Sequence, residues 1–117
     1  MLQPLQMTFR NLEPSPALET RIRKFAERID RFYGAIVGCR VVVDRQNGGA
    51  SPQGLYRASV DLRLPGASIA STRSRGGQHA HEDPYVAVRN AFDAITRLLE
   101  SHARRQRRPA SRRIAAA

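Results

Sequence analysis

His79, His81, Glu82 and Asp83, clustered in the run HAHED, are the side chains of this 117-residue chain best placed to ligate a transition metal. A catalytic zinc requires three protein ligands in fixed geometry, usually two from one helix and a third from elsewhere. Here the histidine pair falls in a predicted loop, Asp83 suits a helix cap, and there is no second His or Cys cluster. No metal site is therefore expected. The single cysteine, Cys39, has no sequence neighbour that would stabilise a thiolate, so it reads as a buried structural thiol. Gly48-Gly49 and Gly76-Gly77 lack the spacing and the lysine of a phosphate-cradling loop. With no nucleophile, metal or cofactor indicated, neither enzyme activity nor a small-molecule substrate is expected.

Charge is the stronger signal. Twenty Lys plus Arg stand against ten Asp plus Glu, a formal net charge of +10, and all the basic residues except Lys24 are arginine. The planar guanidinium fork matches pairs of phosphate oxygens and stacks on bases, so an excess carried by arginine points to nucleic acid. One cysteine cannot form an internal disulfide, no apolar run reaches the roughly 20 residues of a membrane span, and the opening MLQPLQMTFR has no signal-peptide pattern. These features predict a cytoplasmic protein.

The elements that must position this charge follow from periodicity. Leu5, Met7 and Phe9 alternate with Gln6, Thr8 and Arg10, which predicts a short first strand. Ser15-Pro16 is a cap followed by a first-turn proline. It opens a helix whose apolar stripe is Leu18, Ile22, Phe25, Ala26, Ile29 and Phe32, with Gly34 as the left-handed residue past its end. The runs 36–45 and 55–64 alternate as a second and a third strand. The first puts Val37, Cys39, Val41 and Val43 on one face; the next puts Tyr56, Ala58, Val60, Leu62 and Leu64 inward and Arg57, Ser59, Asp61 and Arg63 outward. Polar residues 46–54 predict a loop between them. Pro65-Gly66 predicts a hairpin into a fourth strand over 67–73, and a loop with glycine and histidine follows over 74–82. Asp83-Pro84 then starts a second helix with the stripe Tyr85, Val88, Phe92, Ile95 and Leu99.

The order β-α-β-β-β-α, with one apolar sheet face, predicts an α+β fold: a two-layer sandwich with two helices on one face of a four-stranded mixed sheet. The first and second strands should be parallel and the rest antiparallel. Residues 1–105 form the expected domain. Residues 106–117 form a basic tail, expected to be disordered and separated from the helix by Pro109.

On the first helix Arg21, Lys24, Arg28 and Arg31 fall within about 80° of one another, while Glu19, Glu27 and Asp30 lie on the other flank with Arg23. On the second, Asn90, Arg97, Ser101, Arg104 and Arg108 share about 60° opposite the apolar stripe, and Arg105 adds to the run that follows. Helices packed in parallel would join these edges into one positive surface. Few aromatics remain for stacking, so recognition of structured RNA by shape and backbone is expected.

The opening MTFRNLEPSPAL, the strand GASIAST and the helix start EDPYVAVRNAFDAI resemble the ribosome hibernation-promoting factor and ribosome-associated inhibitor family, over about residues 5–105. The resemblance implies a monomer off the ribosome that binds the small ribosomal subunit in the mRNA and tRNA channel, stalls translation and stores ribosomes under stress. The rRNA-binding residues would be Arg21, Lys24, Arg28, Arg31, Arg97, Arg104, Arg105 and Arg108. Arg97 occupies a position where the family commonly has a basic residue after the helix aspartate, here Asp93. Arg89 and Ala94 depart from the family's residue types, and Arg104 to Arg108 would supply compensating charge. The chain resembles the family's short form, lacking a second dimerising domain. The alternative is a protein-interaction module that modulates a transcription factor through the solvated sheet face, where Arg57 and Arg63 lie.

Overall fold

The computed structural model describes residues 1–46, 54–74 and 79–116, with side chains described to residue 106. Most of the two predicted loops, at 47–53 and 75–78, lies outside the described residues. The elements are β1 (Gln6–Arg10), α1 (Pro16–Phe32), β2 (Gly38–Gln46), β3 (Leu55–Leu64), β4 (Ala67–Ala70), a 3-10 turn over Ser71–Arg73 and α2 (Pro84–Ala116). They form the expected two-layer α+β sandwich. The sheet order is β1-β2-β3-β4, with β1 parallel to β2 and the other pairs antiparallel.

One sheet face and both helices enclose a single core. Val41, Val43, Val60 and Leu62 from the sheet meet Leu18 and Ile22 of α1 and Val88, Phe92, Ile95 and Leu99 of α2, all of them fully buried. Burying each such side chain contributes roughly 1.5–3 kcal/mol relative to exposure, so this surface holds the helices in place. Cys39 is part of the core, and burial together with the Asp61 charge pushes its thiol pKa up to about 12. The thiol is protonated and inert, as its alternation in β2 predicts.

Helix starts follow the sequence signals. Ser15 Oγ accepts the Leu18 N–H at 3.3 Å, and Asp83 Oδ1 accepts the Tyr85 N–H at 2.8 Å, each just before a first-turn proline. The hairpin at Pro65-Gly66 needs its glycine, which has φ +73°. Gly54 has φ +82°, and a Cβ there would lie 2.8 Å from the Gln46 carbonyl oxygen.

Four expectations need correction. Gly34 does not turn left-handed, because the chain leaves α1 through an extended Tyr33 (φ −130°, ψ 99°) that leads Ile36 straight into the core. Phe32, placed in the apolar stripe by spacing, is 56% exposed, since the last turn of α1 carries its ring clear of the core. The fourth strand stops at Ala70: Ser71 is fully buried and its Oγ accepts the Val60 N–H at 2.9 Å, replacing a ladder bond with a side-chain bond. Finally, α2 continues past Pro109 to Ala116. Proline removes one intrahelical bond there, and the helix is continuous through it.

The N-terminus adds a strap that periodicity does not reveal. Leu2 and Gln3 donate to the carbonyls of Ile36 and Val37, and the Met1 ammonium sits 2.7 Å from Asp30 on α1.

Candidate nucleic-acid interface

Three ring contacts set the helices against each other. Phe25 stacks on Phe92 with centroids 5.1 Å apart, the Arg21 guanidinium lies 5.5 Å from the Tyr85 centroid, and Tyr33 meets His102 edge-on at 6.3 Å. Residue numbers rise together along both helices, so α1 and α2 run parallel and side by side. Their outer surfaces therefore form one layer, as expected.

Arg21, Lys24, Arg28 and Arg31 are all exposed on α1. The acids of this helix are turned elsewhere: Glu19 pairs with Arg23 at 3.9 Å, and Asp30 holds the N-terminus. Among the described residues the four basic side chains make no ion pair, and Arg28 lies over the Phe25 ring at 5.7 Å. Segregating the signs in this way leaves the α2-facing edge of α1 as concentrated positive charge available to an anion.

On α2 the predicted face is divided. Arg97, Arg104 and Arg105 are exposed, but Asn90 is half-buried with its Nδ2 3.0 Å from His81 Nε2. Ser101 Oγ accepts from Arg104 Nη2 at 3.3 Å, which leaves that serine partly engaged. The Arg108 side chain lies outside those described. Exposed Asp93 and Glu100 occupy the crest of α2, between the α1 side and Arg97 with Arg104. The positive surface thus consists of two patches with an acidic crest between them, rather than one continuous field.

Arg89 is the residue missed by sequence reasoning. It is exposed one turn after Tyr85, on the shoulder of α2 that faces Arg21 and Arg28. Its signal was its place beside the apolar stripe, which acquires meaning only once the neighbouring helix is known. Exposed Phe32 adds a flat apolar surface one turn after Arg28.

The HAHED run serves as a lead-in to α2. His81 exchanges backbone hydrogen bonds with Tyr56 at 2.7 and 2.9 Å, Asp83 caps the helix, and a small polar recess of about 150 Å³ is lined by His79, His81, Asn90, Asp93 and Arg97. Among the described residues no three His, Cys, Asp or Glu side chains converge to hold a metal. No described helix is long and apolar enough to cross a membrane.

The family model described as "Sigma 54 modulation protein / S30EA ribosomal protein" matches residues 5–107. The chain belongs to this family. The match spans the whole sandwich and nearly coincides with the stretch over which the strand GASIAST and the helix start EDPYVAVRNAFDAI carry the resemblance. Two solved structures share the fold. A ribosomal subunit interface protein from Coxiella burnetii has a TM-score of 0.66 at 20% identity, covering 85% of this chain and 96% of that one. The N-terminal domain of Protein Y from Thermus thermophilus has a TM-score of 0.63 at 23% identity, covering 83% and 94%. No curated protein sequence matches the chain. In this family member the core positions Arg21, Lys24, Arg28 and Arg31 together on the exposed edge of α1.

Proposed function

We propose that this protein is a non-catalytic, cytoplasmic ribosome-binding factor that docks its helical layer on small-subunit rRNA in the mRNA and tRNA channel. Bound there, it blocks translation and promotes ribosome hibernation under stress. The observation that carries this reading is the edge of α1, where Arg21, Lys24, Arg28 and Arg31 stand exposed beside α2 without acidic partners. Family membership and the description of the Coxiella burnetii relative as a subunit interface protein give the partner class. Arg97, Arg104 and Arg105 extend the contact beyond the acidic crest, with Arg108 as a further candidate, and Arg89 adds to the patch on the α1 side.

The chemistry is counter-ion release: each arginine on a phosphate displaces a condensed cation, so binding weakens steeply with salt. With Asp93 and Glu100 on its crest, α2 sits best with those carboxylates over a groove and its flanking arginines on the phosphates to either side. The protein is expected to act as a monomer.

Sucrose-gradient sedimentation tests the reading. At low salt the protein should travel with small subunits, and the charge reversal Arg28→Glu with Arg31→Glu should leave it at the top of the gradient. A wild-type protein that stays at the top at low salt would sink the proposal. Binding of a protein partner insensitive to the reversal, yet lost on changing Arg57 or Arg63, would favour an interaction module acting through the sheet face instead.

A further inference from the structure

The outer face of the sheet, opposite the helices, is covered by no other element among the described residues, and its side chains are ordered in rows. Strand register places Gln6, Arg40, Asp61 and Ala70 in one row, Thr8, Val42 and Ser59 in the next, and Arg10, Asp44 and Arg57 in a third. The outer rows carry the arginines, Arg40 in one and Arg10 with Arg57 in the other, and the middle row carries only short uncharged side chains. The result is a trough crossing the strands, with arginines on both banks. The banks are four residues apart along each strand, about 13 Å. Arg63 and Arg73 reinforce the first bank, where a depression of about 440 Å³ opens beside Arg40. A second depression of about 290 Å³ is lined by Arg10, Val42, Asp44, Arg57 and Ser59, two arginines and one carboxylate among them.

The charge of this face is not internally consumed. Arg40 lies across from Asp61 and Arg57 across from Asp44, yet among the described residues Arg10, Arg40, Arg57 and Arg73 form no ion pair. Asp44 is half-buried, its Oδ1 accepts from Asn11 Nδ2 at 3.3 Å, and it lines the second depression. Five arginines and two aspartates leave a surplus of positive charge around an uncharged floor. No lysine is among them, and the guanidinium fork is the group that binds phosphate oxygens in pairs.

We propose that this sheet face is a second nucleic-acid surface, taking one single RNA strand along the trough while the helical layer binds elsewhere. One molecule would thereby hold two RNA segments on opposite sides. The trough width suits one polynucleotide strand and not a duplex. Its floor of Thr8, Val42 and Ser59 offers no aromatic ring, so the strand is held by its phosphates and without sequence preference. An acidic peptide also offers oxygen pairs, one on each carboxylate, but its carboxylates sit on separate flexible side chains, whereas RNA carries its phosphates along the backbone itself, and the polyglutamate arm of the test separates the two.

The test uses the full chain and a fluorescein-labelled 12-nucleotide oligouridylate, titrated by anisotropy at low salt. The wild type is expected to bind two oligonucleotides. Arg40→Gln with Arg57→Gln and Arg73→Gln, three exposed positions outside the core, should leave the melting temperature unchanged and bind only one. The affinity of the affected site should fall at least tenfold, and the total salt slope should drop by about 2, roughly 0.7 for each phosphate that no longer meets an arginine. Arg28→Gln with Arg31→Gln should remove the other site and spare this one. Two sites persisting in the sheet variant would overturn the proposal. It would equally fall if that variant kept oligouridylate but lost a labelled polyglutamate peptide. Sedimentation with small subunits reads the helical layer separately, so failure of the ribosomal reading leaves the two-site count to decide this one.

Discussion

Arg21 on α1 rests over the ring of Tyr85 on α2, its guanidinium carbon 5.5 Å from the ring centroid. The contact does two things: it ties the first turns of the helices together and fixes one cationic group at the mouth of the groove between them. A cation–π contact at an exposed site contributes about 0.5–1 kcal/mol. Tyr85→Leu keeps the apolar body and removes the ring face. It should lower stability by roughly that amount and weaken sedimentation with small subunits several-fold, because Arg21 is no longer held. Chemical denaturation and gradient sedimentation of the same variant check both effects.

Phe92 is the largest fully buried side chain and stacks on Phe25 across the helix pair. Phe92→Ala should cost about 3–5 kcal/mol through lost transfer energy and a residual cavity. Thermal unfolding followed by circular dichroism measures it. A loss below about 1 kcal/mol would mean that this stack does not hold the layer together.

Ser71 marks where the sheet hands over to the 3-10 turn. Its buried hydroxyl accepts the Val60 N–H at 2.9 Å, so Ser71→Ala leaves a buried backbone donor without a partner. Such a group costs about 1–3 kcal/mol. The change should also raise the hydrogen-exchange rate of the Val60 amide more than those of amides elsewhere in β3.

The Cys39 thiol, raised to about 12 from an ordinary 9.0 first by burial and then by Asp61, makes stability depend on alkaline pH. Above the unfolded value the unfolded chain releases this proton while the folded chain retains it. Stability therefore falls as pH rises from about 9 towards 12, by about 1.4 kcal/mol per unit from this group. Cys39→Val should flatten that slope. Iodoacetamide should label the wild type at pH 8 only after unfolding.

The order of elements, both helix caps, the inward faces of β2 and β3 and the burial of Cys39 follow from local pattern alone. Alternation and the 3.6-residue period are properties of the backbone, and Ser15-Pro16 and Asp83-Pro84 act within a single turn. The family was legible for the same reason: GASIAST and the start of α2 are contiguous stretches. The basic edge of α1 was legible too, because a helical wheel needs no partner.

Tertiary structure decided whatever depends on two elements at once. Only the parallel packing set by Phe25 on Phe92 makes Arg89 part of the groove. Only the neighbouring loop takes Asn90 away from solvent through His81, and only the end of the core exposes Phe32. The alternation in β3 shows that Arg57 points outward, but register across the sheet sets it in a row with Asp44 and Arg10. A sequence specifies which way each side chain faces along its own element. Which charges become neighbours depends on contacts between residues distant in the chain, and those are set by how the apolar faces pack together.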